Sequence, residues 1–112
     1  MDATAPFTCP TALDDDGILT FRPCGEIDLE ARPALTQAQL ALRPGLRGVH
    51  LDFDAVPFMD TTALRFLSSL HARCTAFALP LHITGLHPQH RRMLSLSDYR
   101  LPTSPTSPTT TA

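Results

Sequence analysis

Leu51-Asp52-Phe53-Asp54-Ala55-Val56-Pro57-Phe58-Met59-Asp60-Thr61-Thr62-Ala63-Leu64 is the stretch that decides the fold. Its start belongs to Val49-His50-Leu51-Asp52-Phe53, a short apolar-rich run that reads as a central strand. Residues 54–59 then form a loop. From Asp60 to Ala76 the period changes to that of a helix. Ala63, Leu67, Leu70 and Cys74 fall in one stripe, with Arg65, Ser69 and Arg73 opposite. Asp60 suits the N-cap, because its carboxylate can accept from the open N–H groups of the first turn. Strand, loop and amphipathic helix in succession predict an α/β layer.

The flanking sequence extends this pattern. Phe7 to Leu13 reads as a weak strand, weakened by Pro10. Asp14-Asp15-Asp16-Gly17 is a turn, and Ile18 to Cys24 is the second arm of a hairpin, limited by Pro23. Leu29 to Leu42 is a helix with Ala31, Leu35, Ala38 and Leu42 on one face. Pro33 sits in its first turn and Pro44-Gly45 stops it. Leu79 to Thr84 is a strand ended by Gly85, and Pro88 to Leu96 is a third helix. Tyr99 to Leu101 can form a short last strand. The order is β-β-α-β-α-β-α, an α/β fold with a mixed sheet of four or five strands covered by helices. Residues 1–6 are expected to be loose and 7–101 to form one domain. Residues 102–112, PTSPTSPTTTA, are expected to be a disordered tail, because they bury too little to offset ordering entropy.

A length of 112 residues with 43% hydrophobic residues supports one modest core. The net charge of −2 offers no electrostatic grip on nucleic acid or an anionic membrane. No apolar run approaches the ~20 residues of a transmembrane helix, and the start MDATAPFTCP lacks a secretory signal pattern. A soluble, cytoplasmic protein is expected. Cys9, Cys24 and Cys74 have no CxxC spacing and read as buried, reduced thiols.

Sequence signatures of common catalytic sites are missing: there is no G-x-G-x-x-G, Walker loop, G-x-S-x-G or H-E-x-x-H. His87 and His90 lie at i and i+3, but no third ligand completes a metal set, so they read as exposed surface histidines. His50 and His82 fall in strands, where packing or edge roles are the default. Asp14 to Gly17 lacks the ligands of a calcium loop and reads as a solvated turn. No metal, cofactor or catalytic residue is assigned. What remains is Thr61 and Thr62 at the first turn after Asp60. A phosphate on Thr61 would sit in the favourable field of a helix N-terminus. It would add about −1.5 to −2 charges. Plain helix capping by Asp and Thr explains the same residues.

Gly25-Glu26-Ile27-Asp28, followed by a helix, a strand and Phe58-Met59-Asp60-Thr61-Thr62-Ala63-Leu64, resembles the STAS domain of bacterial anti-sigma factor antagonists. The resemblance spans about residues 18–101. It implies a regulatory binding protein with no activity of its own. Its implied partner is an anti-sigma factor with a GHKL-type kinase fold, which phosphorylates the first hydroxyl after the Asp, here Thr61. The unphosphorylated form captures that partner and frees the sigma factor for transcription. Phosphorylation ends the capture, and a PP2C-type phosphatase restores it. The implied docking surface contains Asp28, Asp60, Thr61 and Thr62, with Phe66 at its margin. Three features depart from the family pattern: Thr61 stands where Ser is frequent, Ala63 stands where Gly follows the hydroxyl pair, and the tail replaces a last helix.

Two other readings stay open. A STAS module can act as a non-phosphorylated scaffolding subunit, for example beside a lipid-transport ATPase, with Thr61 only a cap. A thiol enzyme using one of the three cysteines lacks an aligned base. Strand edges near Pro23 suggest a weak homodimer.

Overall fold

Asp14 closes the first turn. Its Oδ1 accepts from Asp16 N at 2.8 Å and from Ile18 N at 3.0 Å, and Gly17 reverses the chain at φ +82°. The computed structural model describes residues 7–97. The reversal pairs β1 (Thr11–Leu13) antiparallel with β2 (Ile18–Phe21). β1 is shorter than the expected Phe7–Leu13. Pro10 has no N–H to donate, and the pairing resumes only as an isolated Thr8–Cys24 bridge. The Pro23 side chain is among the fully buried ones, and the outer edge of the described sheet on that side belongs to β1.

The chain then makes a 3₁₀ turn over Leu29–Ala31 and enters α1 (Arg32–Gln39). Beyond Gln39 the bonds shorten to i→i+3, from Leu40 to Gln37 and from Leu42 to Gln39, each 3.1 Å. The backbone changes type twice, yet Ala31, Leu35, Ala38 and Leu42 all stay buried. β3 (Gly48–Asp52), α2 (Thr61–Ala76), β4 (Leu81–Thr84) and α3 (Pro88–Ser95) follow. β3 pairs parallel with both β2 and β4, so the described sheet is mixed, in the order β1-β2-β3-β4. The expected strand at 99–101 and the two expected terminal segments lie outside the described residues.

The strands alternate as a half-buried sheet does. Leu19, Phe21, Val49, Leu51 and Leu81 point into a core that α1, α2 and α3 all enter. On the opposite face His50 and His82 are register partners. There His50 Nε2 meets Thr84 Oγ1 at 2.7 Å, and Arg22 Nε lies 3.6 Å from Asp52 Oδ2. The described helices therefore cover one face of the sheet. Burial pushes the His50 imidazole below its ordinary pKa, with Asp52 opposing. A fully buried side chain such as Phe53 or Leu67 contributes about 1.5–3 kcal/mol.

Two expectations are corrected by burial. Cys74 is buried and Cys9 half-buried, but Cys24 is exposed on the chain leaving β2. Burial pushes the Cys9 thiol up to about 12 and the Cys74 thiol to about 11, so both stay protonated at neutral pH and are poor nucleophiles. His90, expected on the surface, is fully buried because α3 lays its first turn against the loop after β3.

Gly85 marks that close approach. A Cβ there would come within 2.5 Å of Asp54 N, at φ +75°. Gly45 also has positive φ, +96°, but nothing within 4 Å. Urea titration of Gly45→Ala should show a loss of about 1 kcal/mol from backbone strain alone. Gly85→Ala should lose at least about 2 kcal/mol more. Equal losses would mean that the two segments do not approach in solution.

Candidate functional site

Two loops run side by side at one end of the sheet. Gly25 N donates to Ala55 O at 3.1 Å, Ile27 N to Phe58 O at 3.1 Å, and Asp60 N to Ile27 O at 3.0 Å. These bonds make Ile27 and Met59 a parallel bridge. Both side chains are fully buried, so the bridge is anchored from below by the core. Its effect is to bring the residue after each anchor to the same end of the molecule. Asp28 caps the 3₁₀ turn through Glu30 N at 3.0 Å. Asp60 caps α2 through Thr62 N at 2.7 Å. Two helical N-termini and two capping carboxylates thus share one surface.

Thr61 is the first residue of α2 and is exposed. Its hydroxyl makes no hydrogen bond among the described residues. Asp28 and Asp60 are half-buried beside it. Thr62 turns inward, with 9% of its surface exposed, and Phe66 is a core residue at 5%. Of the sequence-derived candidates, Asp28, Asp60 and Thr61 therefore reach solvent together, whereas Thr62 and Phe66 contribute mainly to packing. Ala63 is fully buried. Its methyl group faces the core and leaves the outer surface of the first turn unchanged.

The structure adds residues that periodicity did not single out. Leu29 is 66% exposed and Phe58 45%, one after Asp28 and the other two before Asp60. They flank the carboxylates with apolar surface. No strand or helix period marks Phe58 out, because the buried Val56 and Met59 lie three residues apart in a loop around it. Gln89, on α3, grips the same loop from behind: its Oε1 accepts from Met59 N at 3.3 Å and its Nε2 donates to Met59 O at 3.1 Å. Beside Thr62 a groove of about 660 Å³ opens between α1 and α2, with Arg32, Thr36, Arg65 and Ser69 in its walls. Among the described residues no group of three or more His, Cys, Asp or Glu side chains is placed to hold a metal ion, and no helix is long and apolar enough to cross a membrane.

The fold has known counterparts. An anti-sigma factor antagonist from Mycobacterium paratuberculosis is 27% identical, with 83% of this chain and 80% of that chain covered and a TM-score of 0.68. The anti-sigma factor antagonist SpoIIAA in its unphosphorylated form is 16% identical, covering 80% and 79%, with a TM-score of 0.63. The STAS domain of an antisigma-factor antagonist from Rhodobacter sphaeroides is 19% identical, covering 72% and 88%, with a TM-score of 0.58. No curated protein sequence matches the chain. The STAS domain family matches residues 10–109. With nearly the whole chain matched and the fold shared, the protein belongs to the STAS domain family.

Proposed function

We propose that this protein is an anti-sigma factor antagonist whose docking surface is built from Asp28, Asp60 and Thr61, flanked by Leu29 and Phe58. The single observation that carries this reading is the position of Thr61. Its hydroxyl is exposed and unbonded at the start of α2, between two capped helical turns. The implied partner is an anti-sigma factor with a GHKL-type kinase fold, met in the cytoplasm. It transfers phosphate to Thr61 Oγ1, and a PP2C-type phosphatase removes it. The similarity to the mycobacterial antagonist supports the choice of partner.

The electrostatics explain how the modification acts. A phosphate adds about −1.5 to −2 charges and three acceptor oxygens. The N-terminus of α2 tolerates that charge, so the fold survives. A partner surface fitted to Asp60 and a neutral hydroxyl must instead desolvate a dianion beside a carboxylate. A mismatch of about 3 kcal/mol weakens binding by about two orders of magnitude.

Incubation with the cognate kinase-fold protein and ATP, followed by mass spectrometry, should place phosphate on Thr61. Thr61→Ala should bind the partner within about twofold of wild type and take no phosphate at that site. Thr61→Glu should bind at least about tenfold more weakly. Equal binding by the two variants would rule out the charge mechanism. Tight binding with no phosphate on Thr61 would identify a constitutive scaffolding subunit instead. Asp60→Ala serves as a stability control. By thermal or urea unfolding of the isolated chain it should lose about 1 kcal/mol with its cap.

A further inference from the structure

We propose that the first turn of α3 is an acid-sensitive latch on the docking loop. With His90 neutral, His87 and Gln89 hold residues 54–59 in place, and a proton on His90 Nδ1 releases them. The proposal rests on the reading of residues 58–61 as a docking surface only for its consequence on partner binding. The latch itself is a property of the isolated chain.

The geometry starts at His90. It is fully buried and sits edge-on to the Phe53 ring, centroids 5.5 Å apart at 82°. Its Nδ1 accepts from His87 N at 2.9 Å, the role that a Glu or Gln at this third helical position fills in a capping box. An accepting Nδ1 has no proton, so the neutral ring carries its proton on Nε2. Nε2 is buried and has no hydrogen-bond partner among the described residues. The Val56 carbonyl is near enough to favour a charged ring, without hydrogen-bonding geometry to Nε2.

The bond to His90 fixes the His87 backbone, and the His87 ring then reaches across to Asp54 O at 3.0 Å. Two residues further, the Gln89 carboxamide binds both main-chain groups of Met59. The start of α3 therefore grips the loop at both ends, just before Asp60 and Thr61.

Protonation would dismantle the arrangement. A proton on Nδ1 points at the His87 N–H, donor against donor. The resulting cation is buried without an anion to pair with among the described residues. The groups around it are His87 on its own turn, a second imidazole, the Phe53 ring and the Val56 main-chain carbonyl. Asp54 offers His87 its main-chain oxygen. The Asp52 carboxylate is taken by Asp54 N and Arg22, and that of Asp60 by Thr62 N. Arg91 and Arg92 on α3 are exposed and add only positive charge. Burial first, and His87 second, push the His90 pKa below its ordinary 6.5. The sign follows by linkage. Above about 6.5 neither the closed nor the released form binds the proton. As pH falls below that value the released form takes it first. The latch loses stability until pH reaches the closed-state pKa.

Amide hydrogen exchange on the full chain between pH 7.5 and 5, expressed as protection factors, tests this directly. In wild type the Met59 and His87 amides should lose at least about tenfold protection on acidification, while Val49 and Leu51 in the central strand keep theirs. His90→Gln keeps an acceptor for His87 N and cannot titrate, so its profile should be flat. Gln89→Ala should leave Met59 poorly protected at every pH. Unchanged wild-type protection, or the same loss in His90→Gln, would overturn the latch. If His90→Gln does not fold, NMR titration of the wild-type His90 ring decides. A midpoint shared with the Met59 amide shift supports the latch, and separate midpoints refute it. Partner binding over the same range separates the two readings. A latch that opens in acid without weakening binding leaves the latch standing and removes residues 58–61 from the interface.

Discussion

The Ile27–Met59 bridge is the constraint on which the rest of the site depends. Two loops with little regular structure are placed side by side by three main-chain hydrogen bonds, and the two buried side chains beneath them fix the register. A slip of one residue would exchange Met59 for Phe58 or Asp60 at the core, burying a carboxylate or displacing a well-packed side chain. The positions of Asp28, Asp60 and Thr61 follow from that register. The site is therefore positioned by packing beneath it, although the groups that meet solvent are polar.

Much of this was legible in the sequence where the governing forces are local. The stripe of Ala63, Leu67, Leu70 and Cys74 identifies the buried side of α2, and Asp60 caps the helix as its side chain dictates. The four buried positions of the first helix were right even though the backbone there changes from 3₁₀ to α and back. A spacing of three or four residues points inward in either form. The Asp14 turn was equally readable, because Asp14 closes it with its own carboxylate.

What was not legible depends on contacts distant in sequence. His90 lies in a polar stretch, His87-Pro88-Gln89-His90, and looks like surface. It is buried because Gly85 lets the chain approach Asp54 closely enough for α3 to cover the loop. Cys24 was expected inside by residue type, but the Thr8–Cys24 pairing leaves its side chain outside. Phe66, expected at the margin of the docking surface, packs in the core, whereas Phe58 in the loop is exposed. Ala63, which stands where the family pattern has Gly, is a packing residue. A methyl group at that place concerns the core.

The convergence of two capped helical ends has one more consequence. Each carboxylate more than offsets the partial positive charge, about half a unit, of the turn it caps, and Glu30 in the first turn after Asp28 adds another, so the resting surface is already acidic. At physiological ionic strength the Debye length is about 8 Å. Any charge gained on this surface is therefore felt chiefly by a molecule already touching it. If partners dock here as proposed, such a charge would act on how long an encounter lasts, with little influence on how often encounters occur.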